Sequence, residues 1–253
     1  MPVDEGKTRY DSTMAPYYVK YRKIPEPIVE WVVRAGQITP GSRVLDLAAG
    51  TGNLANQLAR VSRRVTGVEV SKSFIAAARA SATELGVRTE YVQGDANQFE
   101  IGGEPYDCVT LCQAFHWLQP AAVIRCIHRA LDENGLLFVI DSNVRLPVSH
   151  PLRELFSDEC NQSVGAAMYR TTRSLLEPTA DGRFFAVVTS FRYTESRRID
   201  LNYARAYHAN PPNYWYTQAR ELADVPPGQF AATVNWLGVM FAPRSVSNAP
   251  SEE

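Results

Sequence analysis

Three acidic side chains, a glycine turn and one imidazole stand where this 253-residue chain could do chemistry. Asp46 lies in the apolar run Val44–Leu47, Glu69 near the end of Val65–Val70, and Asp95 in Gly94-Asp95-Ala96 just after Thr89–Val92. Carboxylates in such places accept hydrogen bonds from hydroxyl and amino groups and attract cations. Gly50-Thr51-Gly52-Asn53-Leu54-Ala55 matches the pattern G-x-G-x-x-[GA], a turn that lets the backbone come close to a ligand. His116, within Gln113-Ala114-Phe115-His116-Trp117, offers an imidazole able to take a proton from an oxygen or nitrogen nucleophile near neutral pH. The same pair has a plainer reading, in which Trp117 packs inward and the imidazole bonds a backbone carbonyl.

The elements that must position these groups alternate in type. Ile28, Trp31, Val32 and Ala35 recur at helical spacing between Pro25 and Gln37. Val44–Leu47 then reads as a strand and leads through the glycine turn into a helix running to near Arg60. A second strand, Val65–Val70, is followed by a helix that Ser71 caps and Gly86 closes, with Phe74, Ile75, Ala78, Ala82 and Leu85 on one face. Thr89–Val92 and Asp107–Leu111 are further strands. Pro120 opens a helix with a stripe of Val123, Ile124, Ile127, Ala130 and Leu131, and Asn134-Gly135 turns the chain into Leu136–Ile140. Continuous apolar strands alternating with helices predict an α/β fold, a parallel sheet covered on both faces and doubly wound. Beyond it, a helical stretch between His150 and Leu176 precedes long runs at Phe184–Ile199 and Ala232–Phe241, expected as an antiparallel edge. Ligands of open parallel sheets bind outside the carboxyl ends of the strands, where all three acids fall.

That convergence discriminates between ligands. A dinucleotide brings a pyrophosphate to the helix N-terminus, and Asp46 directly before the turn opposes it. S-adenosylmethionine has no phosphate; its sulfonium, ammonium, ribose diol and adenine amino group all suit carboxylates, and a helix N-terminus suits its one carboxylate. The stretches Val44–Asn53 (VLDLAAGTGN), Val68–Ser71 (VEVS), Gly94–Ala96 and Gln113–Leu118 (QAFHWL) resemble the class I S-adenosylmethionine-dependent methyltransferases. The last of them is most similar to the small-molecule group that includes trans-aconitate methyltransferase.

The resemblance implies a seven-stranded sheet in the order 3-2-1-4-5-7-6 with the seventh strand antiparallel. It implies that Gly50 and Gly52 let the backbone approach the methionyl part of the cofactor, with Asp46 ordering the loop and the amino group. Glu69 would take the ribose hydroxyls, Asp95 the adenine amino group, and Gln113 would lie beside the sulfonium. Ala48, where many members have glycine, and Asn53, Val70 and Ala96 complete the cofactor set. The family's Tyr-Arg-Pro pattern stands here as Tyr21-Arg22-Lys23, with Arg22 as partner of the cofactor carboxylate and Tyr17 folding over the site. Trp117, His208, Tyr214 and Trp215 are expected on the acceptor side, in an aromatic-rich cap. The implied reaction is methyl transfer to a small-molecule carboxylate, hydroxyl or amine. A binding protein that keeps the pocket without transfer, and an NAD(P)-dependent oxidoreductase, are the competing functions. The expected organisation is one domain, 1–253, with a helical cap (1–38), a cofactor half (39–145) and a substrate-side half (146–253).

Composition narrows the rest. With 26 basic against 27 acidic residues, the chain lacks the surplus that nucleic-acid binding needs. Asn210-Pro211-Pro212-Asn213-Tyr214 resembles an amino-group nucleic-acid methyltransferase motif, but it is split by Asn213 and does not follow the fourth strand. Cys108, Cys112, Cys126 and Cys160 are too few for a disulfide framework and read as reduced thiols, with no metal set. No apolar run spans a membrane, so a cytoplasmic monomer or homodimer is expected.

Overall fold

Short β-branched and leucine-rich runs form the middle of a seven-stranded sheet. The computed structural model describes residue 12 and residues 14–100, 103–145, 172–180, 182–199 and 230–245. Its strands are β1 (Arg43–Leu47), β2 (Arg64–Glu69), β3 (Thr89–Gln93), β4 (Tyr106–Cys112), β5 (Leu131–Arg145), β6 (Arg183–Ile199) and β7 (Phe230–Ser245), in the order β3-β2-β1-β4-β5-β7-β6. The pairs among β1 to β5 are parallel, and β7 runs antiparallel to both β5 and β6. This is the expected order and the expected antiparallel strand.

The helices are α1 (Ala15–Tyr21), α2 (Glu26–Ala35), α3 (Ala55–Leu58), α4 (Lys72–Glu84) and α5 (Pro120–Ala130). Side chains alternate across a strand, so neighbours in sequence serve opposite cores. Val44 joins α2, α3 and α4 on one face, with Ile28, Val32, Leu58, Ile75 and Phe138. Leu45 and Leu47 join α5 on the other, with Val109, Leu111, Val123, Ile127 and Val139. Fully burying such a side chain contributes about 1.5–3 kcal/mol. Gly238 of β7 lets α2 approach the sheet, because a Cβ there would overlap the Trp31 ring. That ring stands edge-on to Phe138 at 5.1 Å and stacks on Phe191 at 5.7 Å. Among the described residues no helix is long and apolar enough to cross a membrane.

Several elements differ from expectation. The helix expected to run to near Arg60 is the single turn α3, bounded by hydrogen-bonded turns. Leu85, assigned to the apolar face of α4, is its C-cap and 48% exposed. The Ser71 cap is as read, its Oγ accepting from Phe74 N–H at 3.3 Å. Asn134-Gly135 does turn, but inside β5: pairing with β4 skips from Leu131 to Leu136, and Asp132 accepts the Asn134 amide at 3.0 Å. Of the helical stretch between His150 and Leu176, residues 150–171 lie outside the described residues, and Arg173–Leu175 form a 3-10 turn.

A buried amide joins three elements on the α3 face. Asn56 is 1% exposed; its Nδ2 donates to the Ala78 carbonyl at 3.0 Å, while its Oδ1 accepts from Tyr91 Oη at 2.7 Å and Thr89 Oγ1 at 2.8 Å. Each buried polar group left unsatisfied costs roughly 1–3 kcal/mol. Asn56→Leu is therefore expected to destabilise the fold by about 2–4 kcal/mol in urea denaturation. A loss within about 0.5 kcal/mol, the range of an ordinary surface change, would contradict the role.

Candidate functional site

Register places Asp46 between Thr110 of β4 and Gly67 of β2. Thr110 Oγ1 donates to Asp46 Oδ1 at 2.6 Å, and the Ala55 N–H donates to the same carboxyl group. Asp46 is 2% exposed, so it lies under the glycine turn and not on an open rim. Burial raises its pKa to about 7; the Thr110 and Ala55 bonds pull it back, and the Glu69 charge adds a smaller upward push. The structure thus places Asp46 beneath the one rim on which the three acids were expected to converge. Its contacts are those of a group that orders the loop.

Glu69, at the end of β2, is also buried. Its Oε2 accepts from Gly50 N–H and its Oε1 from Ser71 N–H, both at 2.9 Å. Burial raises its pKa, opposed by the amides of Ser71, Gly50 and Val70. The amide at the turn, which a pyrophosphate would need, is therefore already donated to an internal anion. This replaces the repulsion attributed to Asp46, whose carboxyl group is largely neutral below about pH 7.

The turn between β1 and α3 holds Ala48 at φ 53°, Gly50 at 58° and Gly52 at 76°, all left-handed. The two glycines have different tasks. A Cβ on Gly50 would find nothing within 4 Å, so the backbone there faces open space. A Cβ on Gly52 would overlap Tyr91 Oη and sit 2.8 Å from Asn56 Nδ2, so the space on that side of Gly52 is filled from within. Asn53, expected on the cofactor, turns its Nδ2 to the carbonyls of Tyr18 (3.2 Å) and Arg22 (3.1 Å) and ties α1 to the turn. The Arg22 guanidinium lies 5.5 Å from the Tyr18 ring centre and within electrostatic reach of Cys112, so it comes to the carboxyl end of β4. Tyr17 is half-buried on α1. Val70 is half-buried and its carbonyl accepts from Gln93 Nε2 at 3.2 Å.

Asp95 closes an Asx turn, its Oδ1 accepting the backbone and side-chain amides of Asn97 at 2.8 Å. Asn97 in turn accepts the Gln119 amide at 2.7 Å, which fastens this loop to the start of α5. Ala96 is buried against the α5 core. Gln113, at φ 56°, donates its N–H to the Ile140 carbonyl at 2.7 Å and its Nε2 to Ser142 Oγ. His116 Nδ1 lies 3.5 Å from Asp141 Oδ2, with the two side chains 33% and 17% exposed. Trp117, read as packing inward in the plainer account, is instead 42% exposed, its ring 4.8 Å from His116. His208, Tyr214 and Trp215 lie outside the described residues.

Sequence reasoning missed Thr110, Asn97, Asp141 and Ser142. Asp141 carried a usable signal, an acid directly after the apolar run Leu136–Ile140, as Glu69 closes the run before it. Thr110 carried none, since a threonine inside an apolar strand looks like any β-former.

The raised pKa of Asp46 has a consequence for stability. The folded chain holds that proton to about pH 7, whereas an exposed aspartate releases it near 4. Its contribution is therefore greatest below that lower value and declines as pH rises toward 7. Asp46→Asn removes the titration while keeping an acceptor for Thr110. Measured without ligand, the variant's melting temperature relative to the parent should rise by a few degrees between pH 4 and 8; a difference independent of pH would overturn the assignment.

Residues 44–135 match the family model described as "Methyltransferase domain". The chain is 35% identical over 119 residues to a ubiquinone biosynthesis O-methyltransferase of Pseudomonas aeruginosa (strain UCBPP-PA14), covering 46% of this chain and 50% of the relative. It is 31% identical over 117 residues to the protein of that name from Aeromonas salmonicida (strain A449), covering 46% and 49%. The chain thus spans about half the length of the curated relatives it matches. A crystal structure of an SAM-dependent methyltransferase from Geobacter sulfurreducens, in complex with S-adenosyl-L-homocysteine, superposes with TM-score 0.55 at 19% identity, over 93% of this chain and 100% of that one. The corresponding complex from Thiobacillus denitrificans gives 0.54 at 18%, over 90% and 96%. By strand order and by superposition the chain has the class I methyltransferase fold, and its residues 44–135, glycine turn included, are similar to the methyltransferase domain family.

Proposed function

We propose that this chain transfers the methyl group of S-adenosylmethionine to a small-molecule acceptor. The observation that carries the reading is the open backbone at Gly50 beside the Glu69 carboxylate, inside the segment that matches the methyltransferase domain. The residues fit the cofactor. A left-handed glycine with free space above it admits a ligand against the main chain, and the neighbouring acid offers acceptors to a diol. When bound, the sulfonium supplies an already activated methyl group. The chain's own task is then placement and exclusion of water, and such orientation is worth roughly 7–11 kcal/mol in favourable intramolecular models.

In this reading Glu69 holds the ribose, Asp95 the adenine amino group, and Gln113 borders the sulfonium. Asp46 keeps the turn in shape from below. Ala48, Val70 and Ala96 frame the pocket, while Tyr17 and Arg22 cover the methionyl end from α1. Trp117 forms an acceptor wall; His208, Tyr214 and Trp215, outside the described residues, are assigned to the acceptor on sequence alone. Residues 39–145 are the cofactor half, with 1–38 as cap and 146–253 as acceptor side. The names of the relatives point to oxygen as the accepting atom.

Mass spectrometry of a source-cell metabolite extract incubated with the protein and methyl-labelled cofactor is expected to show one labelled product together with S-adenosylhomocysteine. Tight cofactor binding without either would replace transfer by a binding role. Glu69→Ala should weaken S-adenosylmethionine by at least about tenfold in calorimetry, the loss of one charge-assisted hydrogen bond. An unchanged affinity would remove Glu69 from the ribose.

A further inference from the structure

Between the end of α1 at Tyr21 and the start of α2 at Glu26 the chain has no regular structure, yet it carries Arg22 there. Helix ends leave their last carbonyls without partners inside the helix. Here two side chains from distant elements take up the carbonyls around Arg22. Asn53, on the glycine turn, donates to those of Tyr18 and Arg22. Arg197 of β6 spreads its two terminal nitrogens over the other pair, Nη1 toward the Tyr21 carbonyl and Nη2 toward that of Lys23, each at 3.5 Å. Arg197 is held in turn. Glu195, two residues before it on the same face of β6, accepts from Nη2, and the same Oε1 accepts from Trp236 Nε1 of β7 at 3.2 Å. Both charged side chains are only 20% exposed, so water competes little for these bonds. Lys23 stands where the similar Tyr-Arg-Pro pattern has proline, whose ring would fix the backbone. The bond from Arg197 to the Lys23 carbonyl supplies that restraint from outside.

We propose that Arg197 is a positioning residue, clamping the backbone on either side of Arg22 so that the Arg22 guanidinium is aimed at the cofactor's carboxylate. This rests on the methyl-transfer reading and adds to it a residue of β6, far in sequence from the glycine turn. The Arg22 guanidinium stands 5.5 Å from the Tyr18 ring centre and comes to the carboxyl end of β4. A long side chain on unrestrained backbone sweeps many directions, and ordering it costs entropy when the ligand binds. With the carbonyls before and after Arg22 both held, much of that ordering is done in advance. A guanidinium gives a carboxylate two parallel donors only when its plane is set. The clamp itself calls for arginine at position 197. Its planar fork reaches two carbonyls and a carboxylate together, whereas a lysine ammonium is a point charge.

The test compares two ligands that share a nucleoside. S-adenosylhomocysteine carries the carboxylate; methylthioadenosine keeps the adenosine and thioether but has neither carboxylate nor amino group. In calorimetry on the full chain, Arg197→Gln should weaken S-adenosylhomocysteine by about tenfold and methylthioadenosine by less than about twofold. Arg197→Lys, which keeps charge and bulk and guards against misfolding of the first variant, should lie between for S-adenosylhomocysteine. In an Arg22→Ala background, Arg197→Gln should weaken S-adenosylhomocysteine no further, because one residue acts through the other. Equal losses for both ligands, or losses that add to those of Arg22→Ala, overturn the proposal and leave methyl transfer standing. A parent chain that binds neither ligand would instead fault the methyl-transfer reading, and the aim of Arg22 with it. Limited trypsin digestion without ligand then still decides the clamp. Cleavage after Arg22 and Lys23, measured against cleavage after Arg79 of α4, should rise at least about fivefold in Arg197→Gln. An unchanged ratio would overturn the clamp.

Discussion

The site depends on a left-handed turn of small residues held by two buried acids. Backbone at φ 53°, 58° and 76° does not keep its shape unaided. Glu69 grips the turn at the Gly50 amide, and Asp46 grips the start of α3 at the Ala55 amide. Both acids sit where burial disfavours their charge, so the amide and hydroxyl donors that hold the loop also offset part of that cost. Loop geometry and acid burial are thus one interaction seen from two sides.

That coupling explains which ligands suit the pocket. A helix N-terminus with free amides attracts anions. Here the amide at the turn is donated inward, and α3 is a single turn with little dipole to offer. What is left is open backbone without a side chain at Gly50 and spare acceptor capacity on the buried Glu69, a carboxylate having about four lone-pair sites. A phosphate-free nucleoside with hydroxyls and a cation matches such a surface better than a diphosphate does.

Much of the scaffold was legible because period-two and helical patterns carry it directly. Val44 to Leu47 and Leu136 to Ile140 read as buried strands, and the order of the sheet followed from the resemblance alone. Glu69 and Gln113 were placed at strand ends for the same reason, and they stand at the ends of β2 and β4. What was misread depends on side-chain direction. Asp46 shares a face with Val44, so the alternation of side chains along β1 sends this acid beneath the turn. Gly52 and Asn53 belong to a motif that reads as ligand-binding throughout, yet one is filled by Tyr91 and the other faces α1. Contacts such as Asp46 with Thr110, 64 positions apart, leave no local trace.

The rim therefore has two halves of different character. Around β1 and β2 the acids are held by amide and hydroxyl donors, so that half is built for shape. Around β4 and β5 the imidazole of His116 and the carboxylate of Asp141 face each other without backbone between them, partly open to solvent. A methyl group that arrives already activated needs only placement from the first half. The strand order, which seats β4 between β1 and β5, sets the two halves side by side at the carboxyl ends of the strands.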